Sequence, residues 1–304
     1  MGMASQALAA CIGHTAAMAV IIFCIALVLV GLIAVVRWGG LAVEPPPTPA
    51  PAAPGATVPP PASLVVRRYL WYLAVALLSG AAAGILAAGA GGRLVMRLLA
   101  VTAGAGAQGR ITEAEEIVGR ITVDGTLGFV VFTGLFFGPV SGAAYLLLRR
   151  WLPAGRAGGL TFGALLLVVA GTRLEPLRRS NPVFDLVGPG WVSVVAFTVL
   201  VVVHGMLVAA LAGRVSRAVP LLAARPGAIA VHAPLLLLVL PGPSVALVLS
   251  IVGVLVVLGS RIPAVVAAVH ARPLVVVGRV ALAVAALVAF PGFASALVDI
   301  LGRP

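Results

Sequence analysis

Apolar residues in this chain fall in long unbroken runs, not in the alternation of a half-buried strand or the one-sided stripe of a surface helix. The runs at 16–36, 69–91, 125–148, 191–213 and 274–298 each hold twenty or more residues. About twenty apolar residues suffice for an α-helix to cross the hydrocarbon of a bilayer. The run at 157–172 is shorter, roughly 24 Å as a helix, but Arg156 and Arg173 bracket it and can snorkel outward to complete a crossing. The stretch 227–260 carries no acid and no arginine. At about 51 Å it is too long for one helix and short for two, and the Pro-Gly-Pro at 241–243 breaks it into a hairpin of two short spans. The pattern predicts an all-α, polytopic transmembrane helix bundle of eight spans, or seven if 227–260 is one tilted helix. A transmembrane barrel is excluded, because its strands would alternate over about ten residues.

Polar punctuation organises the runs. Nine prolines fall in the seventeen positions 45–61, which reads as an extended, semi-rigid tether. The chain therefore divides into an N-terminal transmembrane helix (1–43), a Pro-rich cytoplasmic linker (44–63) and a seven-span bundle (64–304) with polar outer loops at 91–124 and 172–190. With eight spans, the cytoplasmic segments carry eleven arginines against eight outside. The rule that counts basic residues then places the N-terminus outside a plasma membrane. Trp38, Trp71, Trp151 and Trp191 all fall near predicted span ends, as an interfacial belt requires.

Composition sharpens the class. The 304 residues are 62% hydrophobic and 9% charged, with mean hydropathy +1.20; a soluble domain is about a quarter charged. All twenty basic residues are arginine. The absence of lysine removes a phosphate-binding P-loop and a Schiff-base cofactor. The arginines sit singly or in pairs at the ends of apolar runs, so the net charge of +12 points to topology and headgroups and not to nucleic acid. Cys11 and Cys24, on one helix, stand roughly 20 Å apart and cannot bridge. No zinc spacing, metalloprotease helix or nucleophile elbow occurs, so no metal, cofactor or catalytic residue is nominated.

Small residues recur at four-residue spacing: Gly80, Gly84 and Ala88; Gly134, Gly138 and Gly142; Gly205, Ala209 and Gly213. Such stripes let helix backbones approach closely, within the bundle or against another membrane protein or a second copy. Of the ionisable residues inside predicted spans, His204 and Arg279 stand out. His204 is either a neutral imidazole bonded to a neighbouring helix or a proton-relay or ligand contact, and Arg279 can snorkel to the cytoplasmic surface. Arg93 and Arg97, one turn apart, are placed to grip outer headgroups.

Three of the eight carboxylates lie within four residues, in TEAEEIVGR at 112–120. Thr112 and Glu115 match a capping box, and Glu116 and Arg120 have the favourable i,i+4 order, predicting a short amphipathic helix at the outer interface. A sharper reading makes Glu113, Glu115, Glu116 and Arg120 an outer vestibule for cations or a contact for a basic partner. The second outer loop carries Arg173, Arg178, Arg179 and Asp185. It reads as a solvated loop with its own ion pairs, or as a flap whose arginines pair with Glu113–Glu116 to cap a central cavity. The segments GGRLVMRLLA, TEAEEIVGRITVDGTL and NPVFDLVGPGW together resemble a recurring pattern of uncharacterised multi-pass membrane proteins of high-GC actinobacterial type, over about 64–213. That resemblance implies no activity and assigns no functional residue. The functional expectation is a non-enzymatic transport component or permease-like bundle. A structural or assembly subunit of a membrane complex is the competing reading, and an intramembrane enzyme the third.

Overall fold

The computed structural model describes residues 2–47, 60–112, 117–173, 176–239 and 243–303. Helix dominates, and among these residues the one β pairing is an isolated antiparallel bridge between Ile111 and Ile117. The elements are α1 (Gly2–Trp38), α2 (Ala62–Ala83), a π-helical segment (Gly84–Gly89), α3 (Ala90–Thr102), α4 (Val123–Leu148), α5 (Arg156–Val169), α6 (Val183–Leu186), α7 (Gly190–Ser216), α8 (Pro226–His232) with a 3-10 run (Ala233–Val239), α9 (Pro243–Gly259), α10 (Pro263–His270) and α11 (Arg272–Leu301). Proline at the first turn starts α8, α10 and α11, where its missing N–H costs no helical bond. Thr122 caps α4 by accepting from the Gly125 amide at 3.3 Å.

Five helices are long and apolar enough to cross a membrane: Thr15–Trp38, Ala62–Thr102, Val123–Leu148, Gly190–Ser216 and Arg272–Leu301. A sixth is counted if Ser244–Gly259 and Pro263–Val269, bent by 105° at their break, form one broken span. The expectation of eight reduces to this five or six. The run at 157–172 yields only the fourteen residues of α5, and the first arm of the hairpin yields Pro226–Leu238, itself part α and part 3-10. Residues 240–242, which hold most of the proline break, lie outside the described residues.

Glycine decides how the helices meet. A Cβ added at Gly80 would strike the Gly138 carbonyl, and one at Gly138 the Gly80 carbonyl. At Gly84 it would lie 2.8 Å from the Gly134 Cα, and at Gly142 it would strike the Ala76 carbonyl. So α2 and the π segment run backbone to backbone along α4. The same device joins α5 to α7, where Gly163 and Gly205 face each other, and Gly213 lies against the Leu41 backbone. Between these pairs sits the main core, with Trp71, Phe162, Leu207 and Val208 wholly buried. Trp71 thus leaves the expected interfacial belt: its indole Nε1 donates to the Val219 carbonyl at 2.9 Å from inside the bundle. The belt pattern misled because the helix begins at Ala62, earlier than the apolar run does.

Nor does α1 hang from a tether. It packs on α7 and α3, and Ala34 and Val35 belong to the main core. Its C-terminal end is held by arginines from three places. Arg156 donates to the Val36 carbonyl at 2.8 Å, Arg149 to the Val43 carbonyl at 3.2 Å, and Arg217 pairs with Glu44 at 2.9 Å. The rest of the Pro-rich linker, 48–59, lies outside the described residues.

Gly80→Ala drives a methyl into a backbone carbonyl and is expected to lower stability in detergent by about 1–3 kcal/mol. Gly292→Ala, on α11 with nothing within 4 Å of the new Cβ, is expected to cost nothing. Reversible denaturation of both variants checks this, and equal shifts would contradict the close-packed seam.

Candidate functional site

A cavity of about 970 Å³ opens between α1, α3, α4 and α7. Ligand pockets span about 300–1,000 Å³, so it stands at the upper end of that range. Its walls come from α1 (Val20, Ile21, Cys24), from the π segment and α3 (Ala88 to Ala100), from α4 (Gly125 to Ala144) and from α7 (Phe197 to His204). Its roof is made by the two loops at 103–122 and 170–189, with Ile117–Thr122 from the first and Pro176, Asn181, Val183 and Phe184 from the second.

The roof is a small core of its own. Ala107 and Val118 from the first loop join Leu177, Phe184 and Val187 from the second, over Leu99, Phe197, Phe293 and Ile300. Within the first loop, the Gly109 amide donates to the Val118 carbonyl at 3.1 Å and the Val118 amide to the Arg110 carbonyl at 2.9 Å. Residues 117–120 therefore form a bridge and turn, not the C-terminal half of the amphipathic helix expected at 112–120. Glycine at 109 and 119 takes positive φ there, +81° and +88°, which the helical reading overlooked. Glu113, Glu115 and Glu116 lie outside the described residues, and so does any pairing they make.

Of the expected vestibule residues that are described, Arg120 lines the cavity and Arg173, Arg178, Arg179 and Asp185 do not. The second loop is tied to the C-terminal end of the chain. Arg179 pairs with Asp299 at 2.9 Å, and Asp185 with Arg303 at 3.2 Å. Arg303 also donates to the carbonyls of Asn181 and Arg179, and Arg178 to Ser180 Oγ at 3.2 Å. These pairs are solvent-facing and worth at most about 1 kcal/mol each; the apolar roof core does the holding. Arg173 stands beside Arg179 near α11, and Arg279 is exposed on α11, away from the cavity.

Arg93 and Arg97, read from sequence as headgroup contacts, line the cavity. Arg93 donates to the Gly125 carbonyl at the start of α4, and its guanidinium lies 5.0 Å from the Phe129 ring centroid. Arg97 donates to the Gly119 carbonyl at 3.3 Å. One turn apart on α3, the two hold the first loop and the head of α4 over the opening. Their one-turn spacing was the signal in the sequence, and the helix that carries them runs on to Thr102, past the end of the apolar run at 91.

At the inner end lies His204, about halfway along α7 and 9% exposed. Its Nε2 is 3.0 Å from Ser141 Oγ on α4, and that hydroxyl lies 2.7 Å from the Gly138 carbonyl. Which of Nε2 and Ser141 Oγ donates follows the tautomer of the ring, and Nδ1 meets no partner in hydrogen-bond geometry. The chain His204–Ser141–Gly138 ends at the glycine that seats α4 on α2. Ser141 went unnoticed in the sequence because nothing local distinguishes it. Among the described residues no three His, Cys, Asp or Glu gather as metal ligands. Comparison with protein-family models, with curated proteins and with solved structures finds no match.

A double-mutant cycle on His204→Leu and Ser141→Ala should give a coupling of about 0.6 kcal/mol and at most about 1.7, the range of hydrogen bonds between membrane helices. Unfolding in detergent measures it. Strict additivity would mean the two side chains do not interact.

Proposed function

We propose that this chain is a multi-pass plasma-membrane protein acting as a non-enzymatic transport component, with its outer loops forming the entrance and the cavity its substrate site. One observation carries the reading: a cavity of substrate size runs from the outer loops to a buried histidine near the middle of a spanning helix. Intramembrane ionisable groups facing a cavity mark ligand and ion pathways. In this reading the N-terminus lies outside. The end of the bundle that holds Arg149, Arg156, Arg214 and Arg217 around the end of α1 faces the cytoplasm, in keeping with the positive-inside rule. The finer topology counts α5 and Pro226–Leu238 as short crossings, which brings the total to eight. An assembly subunit would need its small-residue stripes on the outside. Gly80, Gly84, Gly134, Gly138, Gly142, Gly205 and Gly213 are instead filled by contacts within the chain.

The test is uptake by right-side-out membrane vesicles offered a mixed solute and lipid extract, read by mass spectrometry. Vesicles with the native chain should enrich at least one compound over vesicles carrying Thr133→Trp, which fills the cavity, and His204→Ala should abolish that enrichment. Identical profiles for all three would sink the transport reading.

A further inference from the structure

The cavity's lining is divided by chemistry. Its outer end carries Arg93, Arg97 and Arg120, and no carboxylate lines it among the described residues. Arginine has five N–H donors in a planar fork, so Arg97 can bond the Gly119 carbonyl and still present donors to the cavity. Much of the remaining wall is apolar, with Phe129, Leu200, Val20 and Ile21. On α4 and α7 the polar side chains lining it are Thr126, Thr133, Ser141 and His204.

The mouth faces sideways. Phe132, Phe137 and Val140 line the cavity and are also 60%, 47% and 66% exposed. All three belong to α4, a helix long and apolar enough to span the bilayer, so the surface they expose is bathed in lipid. On α3, Met96, 41% exposed, extends the same opening toward the arginines. A ligand reaching this cavity through the opening comes from the bilayer, with hydrocarbon along the phenylalanines and its head at the outer boundary.

We infer that the cavity binds a bilayer lipid with an anionic phosphate head, the head held by Arg97 and Arg120 beside Arg93 and the chain lying along α4 toward His204. The inference names the substrate class of the site and so rests on the cavity being the substrate site. Arginine forks match phosphate oxygens in pairs, and the apolar walls exclude a purely polar anion from the lower cavity.

Native mass spectrometry of the full chain tests this, in detergent with equimolar phosphatidylglycerol, phosphatidylcholine and a cationic dialkyl-ammonium lipid. One phosphatidylglycerol should be retained per chain in preference to both others. Arg120→Gln, an exposed position, should weaken that preference by about fivefold, and adding Arg97→Gln by about fivefold again, the effect of about one surface cation on anionic lipid. Thr133→Trp should reduce retention with all arginines intact, and inorganic phosphate should not displace the lipid. Equal retention of the three lipids, or a preference untouched by Arg120→Gln and Thr133→Trp, overturns the inference. So does displacement by inorganic phosphate, which would make the site one for a free anion. Preference for the cationic lipid would overturn it equally. Phosphatidylglycerol retained without uptake in vesicles would sink the transport reading alone, and uptake of some other compound without lipid retention would sink this inference alone.

Discussion

The backbone seam between α2 with its π segment and α4 is the contact on which the rest of the bundle depends. In hydrocarbon, apolar side chains gain nothing by leaving lipid for one another, so helices associate through close dispersion contact and shared hydrogen bonds. Gly80 on Gly138 and Gly84 on Gly134 bring two backbones as near as they can come, and Gly89 continues the seam against Val130. The π segment falls within this seam, where its altered register presents Gly84 and Gly89 to α4 on either side of a widened turn. A second seam, Gly159 and Gly163 on α7, does the same for α5. Large side chains then fill what the two seams leave between them, which is why Trp71, Phe162 and Leu207 are wholly buried in a chain with few aromatic residues.

The cavity follows from where the first seam ends. Beyond Gly92, whose added Cβ would sit 3.3 Å from the Phe129 ring, α3 presents Arg93, Leu94, Met96 and Arg97. Side chains of that size hold α3 off α4, and the loops close the gap from above through their own apolar core. The glycine face of α4 is committed to α2, so its phenylalanines are left pointing outward. Phe132, Phe136 and Phe137 stack on one another there, with ring centroids 5.4–6.5 Å apart. Close packing on one face of α4 and an open, lipid-facing cleft on the other have a single cause, the restriction of its glycines to one stripe.

Sequence revealed the parts of this that depend on composition over a full helix length. The five long helices were legible because hydrocarbon thickness demands about twenty apolar residues wherever the chain crosses. The glycine triplets were legible as spacing, but spacing does not name a partner: Gly80 could have met another protein as readily as Gly138. The cavity was not legible, because Ser141, Phe129 and Arg97 meet only after α3, α4 and α7 are placed. Trp71 and residues 117–120 depart from their expected places for a common reason. Each followed a local rule, the aromatic belt or the continuation of a helix, that tertiary structure overrode by burial in one case and by the positive-φ glycine at 119 in the other. The docking of α1 was hidden by its proline linker, since a tether's composition says nothing about what lies at its ends.

The arginines show why a chain with so few charges uses only one cation. The last four carbonyls of every helix lack a partner inside the helix, and in or near lipid they cannot all be left to water. Arg156 meets the Val36 carbonyl in the last turn of α1, Arg149 meets Val43 just beyond it, and Arg303 meets two carbonyls of the second loop. Arg93 and Arg97 likewise donate to backbone carbonyls, those of Gly125 in the first turn of α4 and of Gly119 in the first loop. A lysine ammonium is a compact, strongly hydrated charge, whereas a guanidinium is weakly hydrated and can bond a carbonyl on one edge while its remaining donors face a headgroup. The residue that sets topology thereby also closes helix ends. On the reading proposed above, two of them sharing one turn of α3 over an apolar cleft would put the same chemistry to use on a phosphate head.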